Sequence, residues 1–152
     1  MDFTSSELAS YILYKGKLAD HRIDKNQLQG ILYCCYGAVL AKFDDRLTSD
    51  HPKAWPFGPL FVKTVSDINH KRLTVRTAKN FIERCNKDVM LLINQTIETF
   101  WIYTGRQMIN WTCIKQGPWY KADPLESIDD REIQKFFEKY LTVIQHTNIA
   151  RK

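Results

Sequence analysis

The sequence has no apolar run of the roughly 20 residues that a helix needs to cross a membrane. Its first residues also lack the positive charge and the apolar core that are typical of a secretory signal peptide. The four cysteines show no Cys-x-x-Cys spacing and have no paired histidines at zinc-ligand distances. Reduced, mostly buried thiols fit this pattern better than a disulfide framework does. We therefore expect a cytoplasmic protein with no metal ion, no other cofactor and no membrane contact.

Motifs of the common enzyme classes are missing as well. The chain has no glycine-rich phosphate loop, no serine elbow and no His-Glu-x-x-His sequence. We therefore predict that it is not an enzyme and that it has no catalytic residues. A thiol hydrolase centred on Cys113 is an alternative, because a histidine beside that thiol could activate it. An inert thiol is the simpler interpretation.

The chain also lacks any block of five or six like charges, so the sequence does not indicate a nucleic-acid-binding tail. Its 22 lysines and arginines exceed its 17 aspartates and glutamates, which gives a net charge of +5. Five of the cations fall within one short stretch, at Lys63, Lys71, Arg72, Arg76 and Lys79. A solvated helix surface is the simpler interpretation of this stretch. A face that binds nucleic acid is the alternative.

Helical periodicity is the main positive signal in the sequence. Thr4 with Glu7, and Asp24 with Gln27, have the spacing of capping boxes that open two helices. The second helix has apolar residues at helical spacing, at Leu28, Ile31, Leu32, Cys35, Val39 and Leu40. Gly30 lies inside this helix and indicates a close crossing with a neighbouring helix. Four further helices are predicted to begin after Pro59, Asn86, Thr104 and Asp129.

These patterns predict a mostly α fold, a compact single-domain bundle of about five to seven helices. A chain of 152 residues has the size of one domain. We expect this domain to span residues 1–147 and the tail at residues 148–152 to fray. Residues 72–76 are predicted to form either a short strand or a loop, which leaves room for one short strand pair. Two irregular segments containing proline and tryptophan interrupt the helices.

The first irregular segment ends in a rigid corner at residues 54–60. Pro56 and Pro59 fix their own φ angles and push the residues before them toward extended conformations. Pro59 also suits the first position of a helix, where its missing N–H costs nothing. The second segment, residues 112–124, carries Pro118 and Trp119. The simpler interpretation buries Trp55 and Trp119 in the core, and the alternative makes one of them an exposed anchor for a partner.

Four motifs in this order resemble the Panacea domain of phage-associated and bacterial toxin–antitoxin proteins. The family's Leu-Gln-Lys-Leu-Leu-Tyr helix corresponds to residues 28–33, and its Ala-Trp-x-x-Gly-Pro corner corresponds to residues 54–59. Its Thr-His and Pro-Trp elements correspond to residues 112–113 and 118–119, and its closing Ile-x-x-Phe-Phe helix corresponds to residues 133–137. The resemblance spans about residues 4–141. The signature positions are Leu28, Gln29, Leu32, Tyr33, Ala54, Trp55, Gly58, Pro59, Pro118 and Trp119.

Two positions depart from the family pattern. The lysine of the first motif is Gly30 here, and the histidine that follows the family's threonine is Cys113. If that lysine and histidine share a role in the family, this chain has lost or changed it.

The resemblance implies a helical domain that acts by binding protein, as an antitoxin that neutralises a cognate toxin through direct contact. Candidate partner-binding residues lie in the corner, at the start of the next helix and in the second irregular segment: Phe57, Leu60, Lys63, Thr112, Cys113 and Trp119. Among the aromatic residues of the corner, Phe57 is the one expected to be partly exposed. The first alternative is a phage or mobile-element accessory protein that binds a host defence factor or acts as a proteolytic adaptor. The second is a DNA-binding autoregulator.

Overall fold

The computed structural model describes the backbone of residues 1–150 and the side chains of residues 1–146. It confirms a compact, mostly α fold with one small antiparallel sheet. The elements are α1 (Ser5–Leu18), α2 (Lys25–Phe43), β1 (Lys53–Trp55), β2 (Gly58–Leu60), α3 (Val62–Asn69), α4 (Val75–Arg84), α5 (Lys87–Phe100), α6 (Gly105–Thr112), α7 (Pro118–Lys121) and α8 (Asp130–Ala150). The predicted fraying of residues 148–152 stays a prediction, because Arg151 and Lys152 lie outside the described residues.

Helix α2 is the centre of the bundle. Every residue from 28 to 40 is buried, on all sides of the helix. Its neighbours are α1, α5, α6, α8 and β2. A helix that is apolar all round is stable only when other elements surround it. The predicted apolar ladder therefore forms one side of α2, and neighbouring elements bury the other sides as well.

Glycines allow two of these neighbours to approach α2 closely. A Cβ atom added at Gly30 would lie 2.9 Å from the Cβ of Met108 on α6. A Cβ atom added at Gly37 would overlap the ring of Phe137 on α8. The close crossing predicted at Gly30 is confirmed. The second crossing, at Gly37, was not predicted.

The predicted helix starts are confirmed wherever a polar cap defines them. The side chains of Thr4, Asp24 and Thr104 each accept a hydrogen bond from the backbone N–H three residues later. All three form complete capping boxes with a Glu or Gln at that position. Asn86 caps α5 through the N–H of Asp88, at 2.8 Å.

One local prediction is wrong, and one open alternative is decided. Pro59 lies in β2, and the next helix begins at Val62. Because proline has no N–H to donate, it is tolerated in an edge strand such as this one. Of the two alternatives for residues 72–76, the loop is confirmed for residues 72–74 and the strand is wrong. Helix α4 begins at Val75, directly after its cap Thr74. Ala78 and Phe81 are buried in the contact of α4 with α1, and this tertiary packing favours the helix.

The remaining segments are short. The second irregular segment contains one helical turn, α7, with Pro118 at its first position. In the part of the chain that the structure describes, no helix has the length and apolar character to cross a membrane.

Candidate partner-binding surface

The predicted corner is a β-hairpin. Strand β1 pairs with β2 in the register Lys53 to Leu60 and Trp55 to Gly58, which leaves Pro56 and Phe57 as the turn. Gly58 has a φ of +117°, a conformation that side-chain-bearing residues rarely adopt. A Cβ atom at this position would also lie 3.3 Å from the Thr112 hydroxyl oxygen at the end of α6. Gly58 therefore allows both the turn and its close packing on α6.

The outer edge of β1 is paired with the chain that leads into α8. The N–H of Ala54 donates to the carbonyl of Glu126 at 2.8 Å, and the N–H of Leu125 donates to the carbonyl of Ala54 at 2.8 Å. The N–H of Ile128 donates to the carbonyl of Pro52 at 3.0 Å. These bonds satisfy the backbone groups that an edge strand would otherwise leave open.

The Gln29 side chain fixes the other end of the hairpin. Its Oε1 accepts a hydrogen bond from the N–H of Phe61 at 2.8 Å, and its Nε2 donates to the carbonyl of Phe61 at 3.4 Å. Both residues are buried. A side chain of the central helix therefore holds the residue that directly follows β2.

Trp119 joins the two irregular segments. Its indole Nε1 donates a hydrogen bond to the carbonyl of Trp55 at 2.8 Å. The ring is partly buried against the core. The two irregular segments are therefore in direct contact, and the indole hydrogen bond of Trp119 is part of that contact.

The exposed side of the hairpin and the neighbouring residues form an apolar surface. We call it the hairpin surface and define it by Trp55, Pro56, Phe57, Tyr120 and Leu125. Phe57 at the tip of the turn is 81% exposed, and Trp55, Tyr120 and Leu125 are 41%, 53% and 56% exposed. Because its ring is exposed, Trp55 is not a core residue. Its backbone carbonyl accepts the hydrogen bond from Trp119.

Two grooves flank the turn. One, of about 150 Å³, runs between the hairpin and α6 and is lined by Phe57, Gly30 and Ile109 among others. The other, of about 580 Å³, runs between the hairpin and α7 and is lined by Trp119, Tyr120 and Leu125 among others. Trp55 and Pro56 line both grooves, so the hairpin surface is continuous across the turn.

The other predicted partner-binding residues differ in accessibility. Thr112 is buried, and its hydroxyl donates to the Met108 carbonyl at 2.9 Å, so it is not on the surface. Lys63 forms an ion pair with the buried Asp67 at 3.1 Å, which gives it a structural contact. Leu60, Cys113 and Trp119 are partly buried. Of the predicted set, Phe57 is the residue that stands most clearly free for contact.

The positions on which the resemblance to the Panacea domain rests are mostly structural. All are buried except Trp55, which is exposed, and Trp119, which is partly buried. Tyr120 and Leu125 belong to the hairpin surface but were missed by the sequence analysis. Tyr120 follows the buried Pro118 and the partly buried Trp119 in a single helical turn, so the next side chain points outward. A sequence pattern could suggest this only after the turn is recognised as helical.

The chemistry at Cys113 gives no support to a nucleophile. Burial raises the pKa of its thiol, and the Thr112 hydroxyl only partly offsets that rise. A nucleophilic cysteine needs a lowered pKa instead. The hydrogen bonds of three histidines lie elsewhere, between His21 and Trp101, His51 and Arg46, and His70 and Ser66. Among the described residues, no group of three or more His, Cys, Asp or Glu side chains could hold a metal ion.

The hydroxyl of Tyr33 is buried without a hydrogen-bond partner among the described residues. Desolvation raises the pKa of this phenol well above its ordinary value, because the charged form is disfavoured in the interior. The ring itself is well packed, edge-on to Phe137 at 5.5 Å. The ring therefore stabilises the core, whereas the hydroxyl opposes folding.

We accordingly expect Tyr33→Phe to raise the free energy of unfolding by about 1 kcal/mol, because it removes an unpaired buried polar group and keeps the ring. Urea unfolding followed by circular dichroism measures this change. Tyr11→Phe is the matched control, because the Tyr11 hydroxyl donates to Asn94 at 2.5 Å. The control should be destabilising. A loss of stability in Tyr33→Phe would contradict the prediction.

Comparison of the chain with family models, with curated proteins and with solved structures finds no significant match.

Proposed function

We propose that this protein binds another protein through the hairpin surface and acts as an antitoxin that neutralises a cognate toxin. The observation that supports binding is the exposure of two aromatic rings, Trp55 and Phe57, on a hairpin that the core holds in place. The resemblance to the Panacea domain supports the antitoxin role.

The exposed residues have the chemistry of a protein interface. Trp and Tyr are enriched among the residues that contribute most to binding energy, and large apolar patches on a soluble surface mark interaction sites. Trp55, Tyr120 and Phe57 supply three aromatic side chains in one continuous surface. Four Phe, Tyr and Trp side chains are exposed in the described chain; three belong to this surface, and the fourth is Tyr103.

The hairpin is also preorganised. Gln29 holds one end, the backbone of residues 125–128 holds one edge, and Trp119 holds the turn side of β1. A surface that is already ordered loses little conformational entropy on binding, so more of the contact energy appears as affinity. A partner with a recess for Phe57 would cover both flanking grooves.

The first test replaces Phe57 by alanine in a binding assay with the purified product of a linked gene. We expect the affinity to fall at least about thirtyfold, since a central aromatic anchor contributes about 2 kcal/mol or more. Isothermal titration calorimetry measures the change. Phe57 is so exposed that the fold should be unaffected, and circular dichroism checks this.

Leu18→Ala is the matched control. Leu18 is 71% exposed at the end of α1, so its truncation removes a comparable exposed apolar side chain far along the chain from the hairpin. We expect no change in affinity for this variant. Equal affinities of the wild type and Phe57→Ala would show that the hairpin surface is not the binding site.

Co-expression tests the antitoxin role separately from the site. The chain should restore growth to cells that express a toxic linked gene, and the two proteins should purify together. Failure to neutralise or bind any linked gene product would refute the antitoxin role. Binding to a host defence factor without growth rescue would favour the accessory-protein alternative.

A further inference from the structure

The excess positive charge of the protein is concentrated in one segment. Residues 63–79 contain five lysines and arginines and one aspartate, so they carry a net charge of +4, against +5 for the whole chain. The segment comprises α3, the turn after it and the first half of α4. This concentration makes α4 and its preceding turn the most basic part of the molecule.

Three of these cations have no acidic partner. Lys63 and Arg72 share the buried Asp67, at 3.1 and 3.3 Å. Lys71, Arg76 and Lys79 are exposed, and none of them is within ion-pair distance of a carboxylate among the described residues. We define the basic surface by these three residues.

Neighbouring charges extend the basic surface on one side and limit it on the other. Lys17 of α1 lines a shallow groove together with Thr74 and Val75, where α4 begins. Glu83 lies one helical turn beyond Lys79, in the second half of α4. The unpaired positive charge therefore lies in the first half of α4, in the turn that precedes it and near the end of α1.

The basic surface rests on a rigid support. Phe81 of α4 is fully buried, and its ring packs on Phe3 and Tyr11 at centroid distances of 4.7 and 5.5 Å. Arg84 at the end of α4 forms an ion pair with Glu7 of α1. α4 packs on α1, whereas the hairpin packs on α2 and α6, so the basic surface and the hairpin surface belong to different parts of the bundle.

We propose that the basic surface binds the phosphate backbone of duplex DNA. Asn80, exposed on the same helix, adds a small hydrogen-bonding side chain that suits phosphate oxygens, whereas the Thr77 hydroxyl is hydrogen-bonded to that of Thr74 at 2.9 Å. Residues 70–80 contain no Phe, Tyr or Trp, and the one such ring that lines the adjoining groove, that of Tyr14, is only partly exposed. Single-stranded nucleic acid is bound largely by stacking on aromatic rings, and protein interfaces depend on aromatic anchors. A surface whose cations are not accompanied by exposed aromatic rings fits the evenly charged phosphate backbone of a duplex.

The proposed contact is independent of the hairpin surface, so the protein could hold DNA and a protein partner at once. Phosphate contacts of this kind position a protein on DNA without reading its sequence. The expected binding is therefore weak, insensitive to sequence and strongly dependent on salt.

The test measures binding of the full chain to a fluorescent 20-base-pair duplex of arbitrary sequence between 50 and 200 mM salt. Three phosphate contacts predict a slope of log K against log salt of about −2.7. The triple variant Lys71→Ala, Arg76→Ala, Lys79→Ala should flatten this slope to near zero. Its affinity at 50 mM salt should fall at least about tenfold, since each neutralised phosphate contact reduces the slope by about one.

The control removes the same charge elsewhere. Lys42, Lys135 and Lys139 are exposed on α2 and α8, and their replacement by alanine should leave DNA affinity nearly unchanged. Circular dichroism verifies the fold of both triple variants. The proposal would be overturned if both triple variants lost DNA affinity equally or if the affinity of the wild type did not depend on salt. Tighter binding of single-stranded than of duplex DNA, or equally effective competition by polyglutamate, would also overturn it. Phe57→Ala should not alter DNA binding, so the two surfaces can fail separately.

Discussion

Replacing Gln29 with leucine is expected to lower the free energy of unfolding by about 2 kcal/mol and to loosen the hairpin. The N–H of Phe61 would lose its acceptor at a buried position, and such an unpaired donor costs about 1–3 kcal/mol. The carbonyl of Phe61 would lose less, because the N–H groups of Thr64 and Val65 also donate to it. Leucine fills a similar volume, so the loss arises mainly from the hydrogen bond.

Urea unfolding measures the stability of this variant, and hydrogen exchange of the hairpin amides measures its order. Gln95→Leu is the matched control, because it makes the same chemical change in α5 at a side chain without a described hydrogen bond. Stability within about 0.5 kcal/mol of the wild type, the usual range for an inconsequential substitution, would contradict the prediction for Gln29. The variant should also bind the protein partner more weakly than the wild type, because the hairpin surface would no longer be preorganised.

Gly37→Ala is expected to destabilise the protein by about 2 kcal/mol or more, although alanine is the better helix former by about 1 kcal/mol. The added methyl group would overlap the ring of Phe137, which is fully buried. α8 would have to move away from α2, the central helix of the bundle. The overlap therefore outweighs the gain in helix propensity.

A double-mutant cycle tests this explanation. Phe137→Leu alone should be destabilising, because it removes a large buried ring. Combined with Gly37→Ala, it should cost less than the sum of the two single changes, because the smaller side chain makes room for the methyl group. Additive losses measured by urea unfolding would mean that the ring contact is not the cause.

Two positions differ from the motifs of the Panacea domain that the sequence resembles, and the structure shows where they lie. Gly30 lies against Met108, so a lysine at this position would need α6 or its methionine to move. Cys113 follows the end of α6, with its sulfur 3.5 Å from the position of a Cβ atom added at Gly58. Both departures therefore lie where α6 meets α2 and the hairpin. Neither residue is exposed enough to act alone as a partner contact.

Local sequence signals predicted the elements that depend on local interactions. Capping residues such as Thr4 and Asn86 make hydrogen bonds within a few positions of themselves, so their spacing alone locates a helix start. The apolar ladder of α2 also predicted its helix, because helical periodicity is visible in the sequence alone. The sequence does not decide between a strand and a loop at residues 72–76, because the start of α4 at Val75 depends on Phe81 packing against α1, a contact between distant parts of the chain.

The candidate site was predicted only in part. The sequence paired the two segments and singled out Phe57, since a residue between a proline and a glycine in a tight turn has little around it. The sequence favoured a buried Trp55 and an accessible Thr112, whereas Trp55 is exposed and Thr112 is buried. Their exposure depends on which side of the hairpin faces α6 and α7. Tyr120 and Leu125 were missed for the same reason.

For this protein, the sequence by itself determined the helical class, the principal helix starts and the rigidity of the turn around Pro56 and Gly58. These depend on backbone geometry and on hydrogen bonds between near neighbours. Only the tertiary structure decided that Pro59 lies in a strand, that Gln29 holds the hairpin and that Phe81 of α4 is buried against α1. Those outcomes depend on burial between segments far apart in the chain, which no local pattern specifies.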